Sequence, residues 1–153
     1  MRLLVDTNIV IDHLRKRHPH ADSARLLLAL GKLGEFELWL SPTQMGDAFY
    51  LLTDGGKRTL SHQVHEELRE LRKAVRICQY GEQEIDKALH LGWPDFEDAL
   101  VYEAARAIKA DAILTRNQED FEKSTIPTFD CDEFFDWYAS EHGIHYAELT
   151  LES

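Results

Sequence analysis

The chain has 153 residues, enough for one domain with a substantial core, and its 44% hydrophobic and 29% charged residues are the balance of an ordinary globular protein. Its 28 acids against 17 lysines and arginines give a net charge of −11, which excludes a nucleic-acid binder relying on fixed basic charge alone. A chain of this charge that handles phosphates needs bound cations to supply the positive charge.

Leu3-Leu4-Val5 is a short, wholly apolar run that stops at Asp6-Thr7-Asn8, the pattern of a strand buried on both faces. Asn8 is read as the N-cap of a first helix, Ile9 to Arg17, with Val10, Ile11 and Leu14 on one side. A second helix is expected from about Asp22 to Leu33, ending at Gly34. Phe36 to Leu40 reads as a buried strand, followed by a helix capped by Ser41 or Thr43 and running to Leu52 before Gly55-Gly56. Val64, Leu68 and Leu71 give helical spacing within 59–74, and Val75 to Cys78 is a strand candidate. Glu82 to Leu91 is a helix with Ile85, Ala88 and Leu89 inward; Gly92-Trp93-Pro94 breaks it, and Asp95 opens another to about Lys109. Ala112 to Leu114 is a strand ending in Thr115-Arg116-Asn117, Pro127 to Phe129 is a further one, and Asp132 to Ser140 is the last helix. Strands alternating with helices predict a three-layer α/β/α domain with a mainly parallel sheet. No linker divides the chain, so 1–153 is read as one domain with its core in about 1–140 and a tail in 141–153.

In open parallel sheets the functional crevice lies at the C-terminal ends of the strands. Asp6 follows one strand directly and Thr115-Arg116-Asn117 follows another, so two polar turns share that edge. Asp6 and Asn8 could simply cap the first helix, but a cap needs one short polar residue and this turn carries three. Asp98 lies in the first turn of its helix beside the buried face formed by Leu100, Val101, Ala104, Ala105 and Ile108. A carboxylate there gains from the helix N-terminus but needs a partner or a metal to offset desolvation. Asp95 is read as the N-cap of the same helix. By periodicity alone Asp47 is a solvated flank residue, and Asp120 is one acid in a polar run. Carboxylates gathered without His or Cys suit hard cations, Mg²⁺ or Mn²⁺, and such sites serve phosphoryl chemistry.

The order Leu4-Val5-Asp6-Thr7-Asn8, Leu40-Ser41-Pro42 to Asp47-Ala48-Phe49-Tyr50, Asp95-Phe96-Glu97-Asp98-Ala99-Leu100 and Leu114-Thr115-Arg116-Asn117 to Asp120-Phe121 resembles the PIN-domain family. The resemblance covers roughly residues 1 to 136 and is strongest to the bacterial branch of VapC-type toxins. It implies a site of four acids, Asp6, Asp47, Asp98 and Asp120, with Asn8, Thr115 and Asn117 at accessory polar positions. It also implies an Mg²⁺- or Mn²⁺-dependent ribonuclease acting on RNA, a homodimer, and a small antitoxin that inserts a basic segment into the site. The second acid is usually Glu in the family, and here it is the shorter Asp47. Arg116 is read as a phosphate contact or a solvated surface residue.

Two further readings compete. A haloacid-dehalogenase-like phosphohydrolase also has an Asp after its first strand but wants a second Asp two residues later, where this chain has Asn8. A catalytically inactive PIN-like module that only binds protein is compatible with the shorter Asp47 and the acidic charge. Among the eight histidines, His62 and His65 have zinc-compatible spacing but no further ligands join them, and they are read as surface groups. Cys78 and Cys131 lack CxxC spacing and are read as buried apolar residues of a reducing compartment. Asp6 interrupts any signal-peptide h-region, and no run nears the roughly 18 apolar residues that cross a membrane. The cytoplasm is therefore the expected location.

Overall fold

The computed structural model describes residues 1–146. Strands β1 (Arg2–Val5), β2 (Glu37–Leu40), β3 (Val75–Ile77), β4 (Ala112–Leu114) and β5 (Thr128–Phe129) form one sheet in the order β3-β2-β1-β4-β5, with each neighbouring pair parallel. Helices α1 (Thr7–Leu14), α2 (Ala21–Leu33), α3 (Pro42–Leu52), α4 (Arg58–Leu71), α5 (Glu82–Leu91), α6 (Phe96–Ala107) and α7 (Cys131–His142) surround it. Pairing Leu4 with Trp39 on one side and Ile113 on the other sets β1 in the centre.

Alternation along the strands builds the three layers. Leu3, Val5, Ala112 and Leu114 point to one face and pack with Leu27 and Leu30 of α2 and Phe134 of α7. Leu4 and Ile113 point to the other face and meet Val101, Ala104, Ala105 and Ile108 of α6. Because both faces are covered, every residue of β1 from Leu3 to Val5 is buried, which is why the run carries no polar position. Helix α2 lies against β2 so closely that a Cβ on Gly31 would fall 2.5 Å from Leu38 Cδ1 and 2.8 Å from the Ala74 carbonyl oxygen. Helices α3 and α4 pack on α1 through Ile11, Ala48, Leu52 and Val64.

The sequence reading needs correcting in four places. Helix α1 starts at Thr7 and has Asp6, not Asn8, at its N-cap position; it ends at Leu14, and Lys16 beyond it has positive φ. In α5 only Ala88 is buried, while Ile85 and Leu89 are exposed, because the helix packs on α6 through a narrow stripe (Ala88 against Ala99 and Leu100). A 3-10 turn, Gln118–Phe121, forms where only a polar run was expected. Helix α7 is capped by Asp130 and continues to His142, and Tyr146 packs edge-on against Phe36 and stacks on Tyr138. The expected tail thus begins with core-packed residues; 147–153 lie outside the described residues.

Cys78 and Cys131 are free and buried, and burial pushes their thiols up to about 11 and about 12. Among the described residues no helix is long and apolar enough to cross a membrane.

Candidate active site at the carboxyl edge of the sheet

The strand order reverses at β1: the chain moves to β2 and β3 on one side and to β4 and β5 on the other. Loops leaving β1 and β4 diverge there, opening a crevice at the C-terminal ends of the strands. A cleft of about 320 Å³ occupies this position. Its walls are the first turns of three helices: Thr7 and Asn8 of α1, Thr43 and Gln44 of α3, Glu97 and Asp98 of α6. Three helix N-termini therefore meet around one space, although caps already take Gln44 N (Ser41 Oγ, 3.2 Å) and Asp98 N (Asp95 Oδ1) and Pro42 offers no N–H. Among the described residues no lysine or arginine lines it.

Asp6 sits at the floor. Its backbone N–H donates to Leu114 O of β4 at 2.8 Å, which fixes the turn against the sheet. Its carboxylate makes no cap bond within α1; Oδ2 instead accepts from the Thr115 hydroxyl at 2.8 Å. Thr115 is fully buried and its Oγ1 also accepts from Asn117 N at 3.0 Å. Burial pushes the Asp6 carboxyl up, against the lowering influence of the Thr115 hydroxyl, the Thr7 amide and the Arg116 charge, while Asp120 raises it.

Asp98 is the N3 residue of α6. Asp95 caps the helix as expected, its carboxylate accepting from Asp98 N at 3.1 Å, so the Asp98 side chain is left for the cleft. Burial, followed by the charges of Asp95, Asp120, Asp6 and Glu97, pushes its carboxyl up to about 7. Four neighbouring acids therefore press on one group.

The remaining acids are arranged around these two. Asp47 lines the cleft from α3, opposite Glu97 of α6, and it is the strongest cause of the raised carboxyl of Glu97. Asp120 lies in the 3-10 turn and lines a neighbouring depression with Trp93, Asp98 and Lys123, not the cleft itself. Its charge nonetheless reaches both Asp6 and Asp98. Asn8 and Asn117 line the cleft. Arg116 does not: its Nε stands 2.8 Å from Oδ2 of Asp12, a fully buried carboxylate that Arg17 approaches to 2.9 Å from the other side. Arg116 is thus a partly exposed side chain paired with Asp12 and does not line the cleft.

Sequence reading missed two residues of the site. Gln44 is buried, receives Ser41 N at 2.8 Å, and donates to Val5 O at 2.7 Å, tying α3 to the end of β1 just before Asp6. The clue was present in Ser41-Pro42-Thr43-Gln44, the S-x-x-Q form of a capping box. Glu97 could have been found by its spacing, three and four residues before Leu100 and Val101, which line the same cleft.

The donor set is oxygen only, and its members raise one another's carboxyls, so an added cation would relieve real repulsion. Among the described residues no three acid, histidine or cysteine side chains converge as a ready-made metal site. The residues thus fit a hard divalent ion in chemistry and charge, while the carboxylates stand apart.

A family model for the PIN domain matches residues 2–119. The chain belongs to the PIN-domain family. Among solved structures, this PIN domain is similar to that of VapBC2 from Rickettsia felis bound to a DNA fragment from their promoter. The two share 19% identity and superpose with a TM-score of 0.65 over 85% of this chain and 98% of the other. That likeness establishes the shared fold, including the parallel sheet that places Asp6 and Thr115 side by side. No curated protein matches the PIN-domain chain.

Proposed function

We propose that this PIN domain is a divalent-metal-dependent endoribonuclease and the toxin member of a toxin–antitoxin pair. The observation that carries the reading is the meeting of Asp6 and Asp98 with three helix N-termini in a cleft free of fixed cations. Asp6 and Asp98 would hold Mg²⁺ or Mn²⁺, with Asp47 and Asp120 completing the ligand set and Glu97 adding negative charge. Such an ion, when bound, polarises water and offsets the charge of a phosphate oxygen.

The chain's own groups do the rest. Thr115 holds the Asp6 carboxylate in one orientation, and the Gln44 bond to Val5 O holds the turn that presents it. Amide groups of Asn8 and Asn117 line the cleft where they can donate to a phosphate oxygen. The α1, α3 and α6 first turns supply a positive field that costs no side chain, which lets an acidic protein admit an anionic strand. Asp98, already pressed up to about 7, is the carboxylate whose charged form gains most from a cation.

The likeness to VapBC2 and to VapC-type sequences supports a small protein partner. An acidic cleft without lysine or arginine fits a partner that inserts a basic side chain among Asp6, Asp98 and Asp120. A homodimer is the assembly that the resemblance to VapC-type toxins implies. Single-stranded RNA incubated with the protein and Mn²⁺ tests the central reading. Cleavage should disappear on adding EDTA and in Asp6→Asn; cleavage that survives both would reject it.

A further inference from the structure

One wall of the cleft is unlike the rest. Tyr50 and Leu51, at the C-terminal end of α3, line it yet remain 61% and 57% exposed. Neither side chain belongs to a hydrophobic core cluster among the described residues, so both present exposed apolar surface beside Asp47, Glu97 and Asp98. Tyr50 stands three residues after Asp47, so the two positions share a face of α3 about 4.5 Å apart along its axis.

The ring is also braced. Phe49 meets it edge to face, with centroids 5.9 Å apart and planes at 84°. Beneath it lies the turn after α3, where Gly55 N donates to Tyr50 O at 2.8 Å. Gly56, at φ +96, approaches so closely that a Cβ there would be 3.3 Å from Tyr50 Cε1. A glycine here leaves free the space beside the ring that a side chain would take up, and Tyr50 stays largely exposed.

We propose that Tyr50, flanked by Leu51, is a stacking platform for an unpaired nucleobase next to the phosphate that enters the cleft. This rests on the ribonuclease reading and names the part of the substrate that the acidic residues cannot hold. Among the described residues the cleft carries no lysine or arginine and the chain's net charge is −11, so cationic side chains do not supply the affinity for the rest of the strand. A base face needs no charge: it stacks on an aromatic ring whatever the ionic balance, and every base has such a face. The site therefore selects single strands, whose bases are free to leave the stack, over duplex.

Binding of a short fluorescent oligoribonucleotide, followed by anisotropy in Mn²⁺ with the cleavage-silent Asp6→Asn protein, tests this. Adding Tyr50→Ala should weaken binding roughly tenfold, within the range of base–aromatic stacking, and Tyr50→Phe should restore it. An abasic residue at the stacked position should weaken binding to the tyrosine protein and leave the alanine protein unchanged. The loss should persist as monovalent salt is raised, since stacking releases no counterions. Equal binding by the alanine and tyrosine proteins would overturn the platform while leaving the ribonuclease reading in place. Failure of wild type to cleave RNA and of Asp6→Asn to bind it would overturn both.

Discussion

The Thr115 hydroxyl donates to Asp6 Oδ2 at 2.8 Å, joining two residues 109 positions apart at the ends of adjacent parallel strands. The same oxygen accepts from Asn117 N, so one buried hydroxyl sets both an acid and the loop beside it. Thr115→Val keeps the shape but strands the Asn117 N–H and frees the Asp6 carboxylate. It should destabilise the fold by about 1–3 kcal/mol in urea unfolding and lower the affinity for Mn²⁺. Thr115→Ser should retain both.

Asp98 makes stability fall as pH rises. Its carboxyl ionises near the ordinary value when unfolded and at about 7 when folded. Between those values the folded state binds more protons, so unfolding becomes easier with increasing pH, and the stability present at about pH 4 is lost by about pH 7. Asp98→Asn should leave the melting temperature nearly unchanged at pH 4 and raise it at pH 8. A variant that melts lower than wild type at pH 8 would show that the carboxylate is not strained.

A cation should relieve the same repulsion. Millimolar Mn²⁺ should raise the wild-type melting temperature at pH 8 in a concentration-dependent way, following ligand linkage. Asp6→Asn and Asp98→Asn should each abolish most of that rise. An equal rise in all three proteins would place the ion elsewhere.

Much of this arrangement was legible in the sequence, for reasons that differ by residue. Leu3 to Val5 announced a doubly covered strand because burial on both faces leaves no room for a polar position, and Asp6 then marked the sheet edge. Asp98 was legible because a first-turn acid beside an apolar stripe is desolvated unless a partner or a metal compensates it. Asp47 was not: one turn of α3 cannot reveal that its flank faces Glu97 of α6 rather than solvent. The pairing of Arg116 with Asp12 was not legible, because Asp12 lies 104 residues away on α1 and only the packed sheet brings them together. The exposed Ile85 and Leu89 show the opposite limit, since helical spacing cannot say which of two apolar stripes a neighbour covers.

The resemblance to the PIN-domain family leads one to expect glutamate at the position of Asp47. Its charge is the leading influence on Glu97, so its carboxylate already lies within electrostatic reach of the opposite wall. Asp47→Ala should weaken Mn²⁺ binding several-fold and lower cleavage, whereas Asp47→Glu should preserve both. Calorimetric titration with Mn²⁺ checks this; identical affinity in the alanine variant and wild type would make Asp47 a solvated flank residue.

Gly31 tests the packing that supports the site without touching it. An alanine Cβ would meet Leu38 and the Ala74 carbonyl at distances no relaxed structure tolerates, and the carbonyl is backbone that cannot swing aside. Gly31→Ala should cost about 1–3 kcal/mol or more in denaturant unfolding. Metal affinity per folded molecule should not change.

The most direct measurement concerns the products of cleavage. A water activated among Asp6, Asp98 and a divalent ion breaks the phosphodiester by hydrolysis and has no use for the ribose 2′-hydroxyl. End-labelled single-stranded RNA, incubated with wild type and Mn²⁺ and resolved beside chemically defined ladders, should yield fragments without a cyclic phosphate. A strand with one 2′-deoxynucleotide at the scissile position should still be cut, and Asp98→Asn should cut neither. Cyclic-phosphate ends, or cleavage undiminished in Asp98→Asn, would contradict a metal-dependent hydrolysis carried by the acidic cleft.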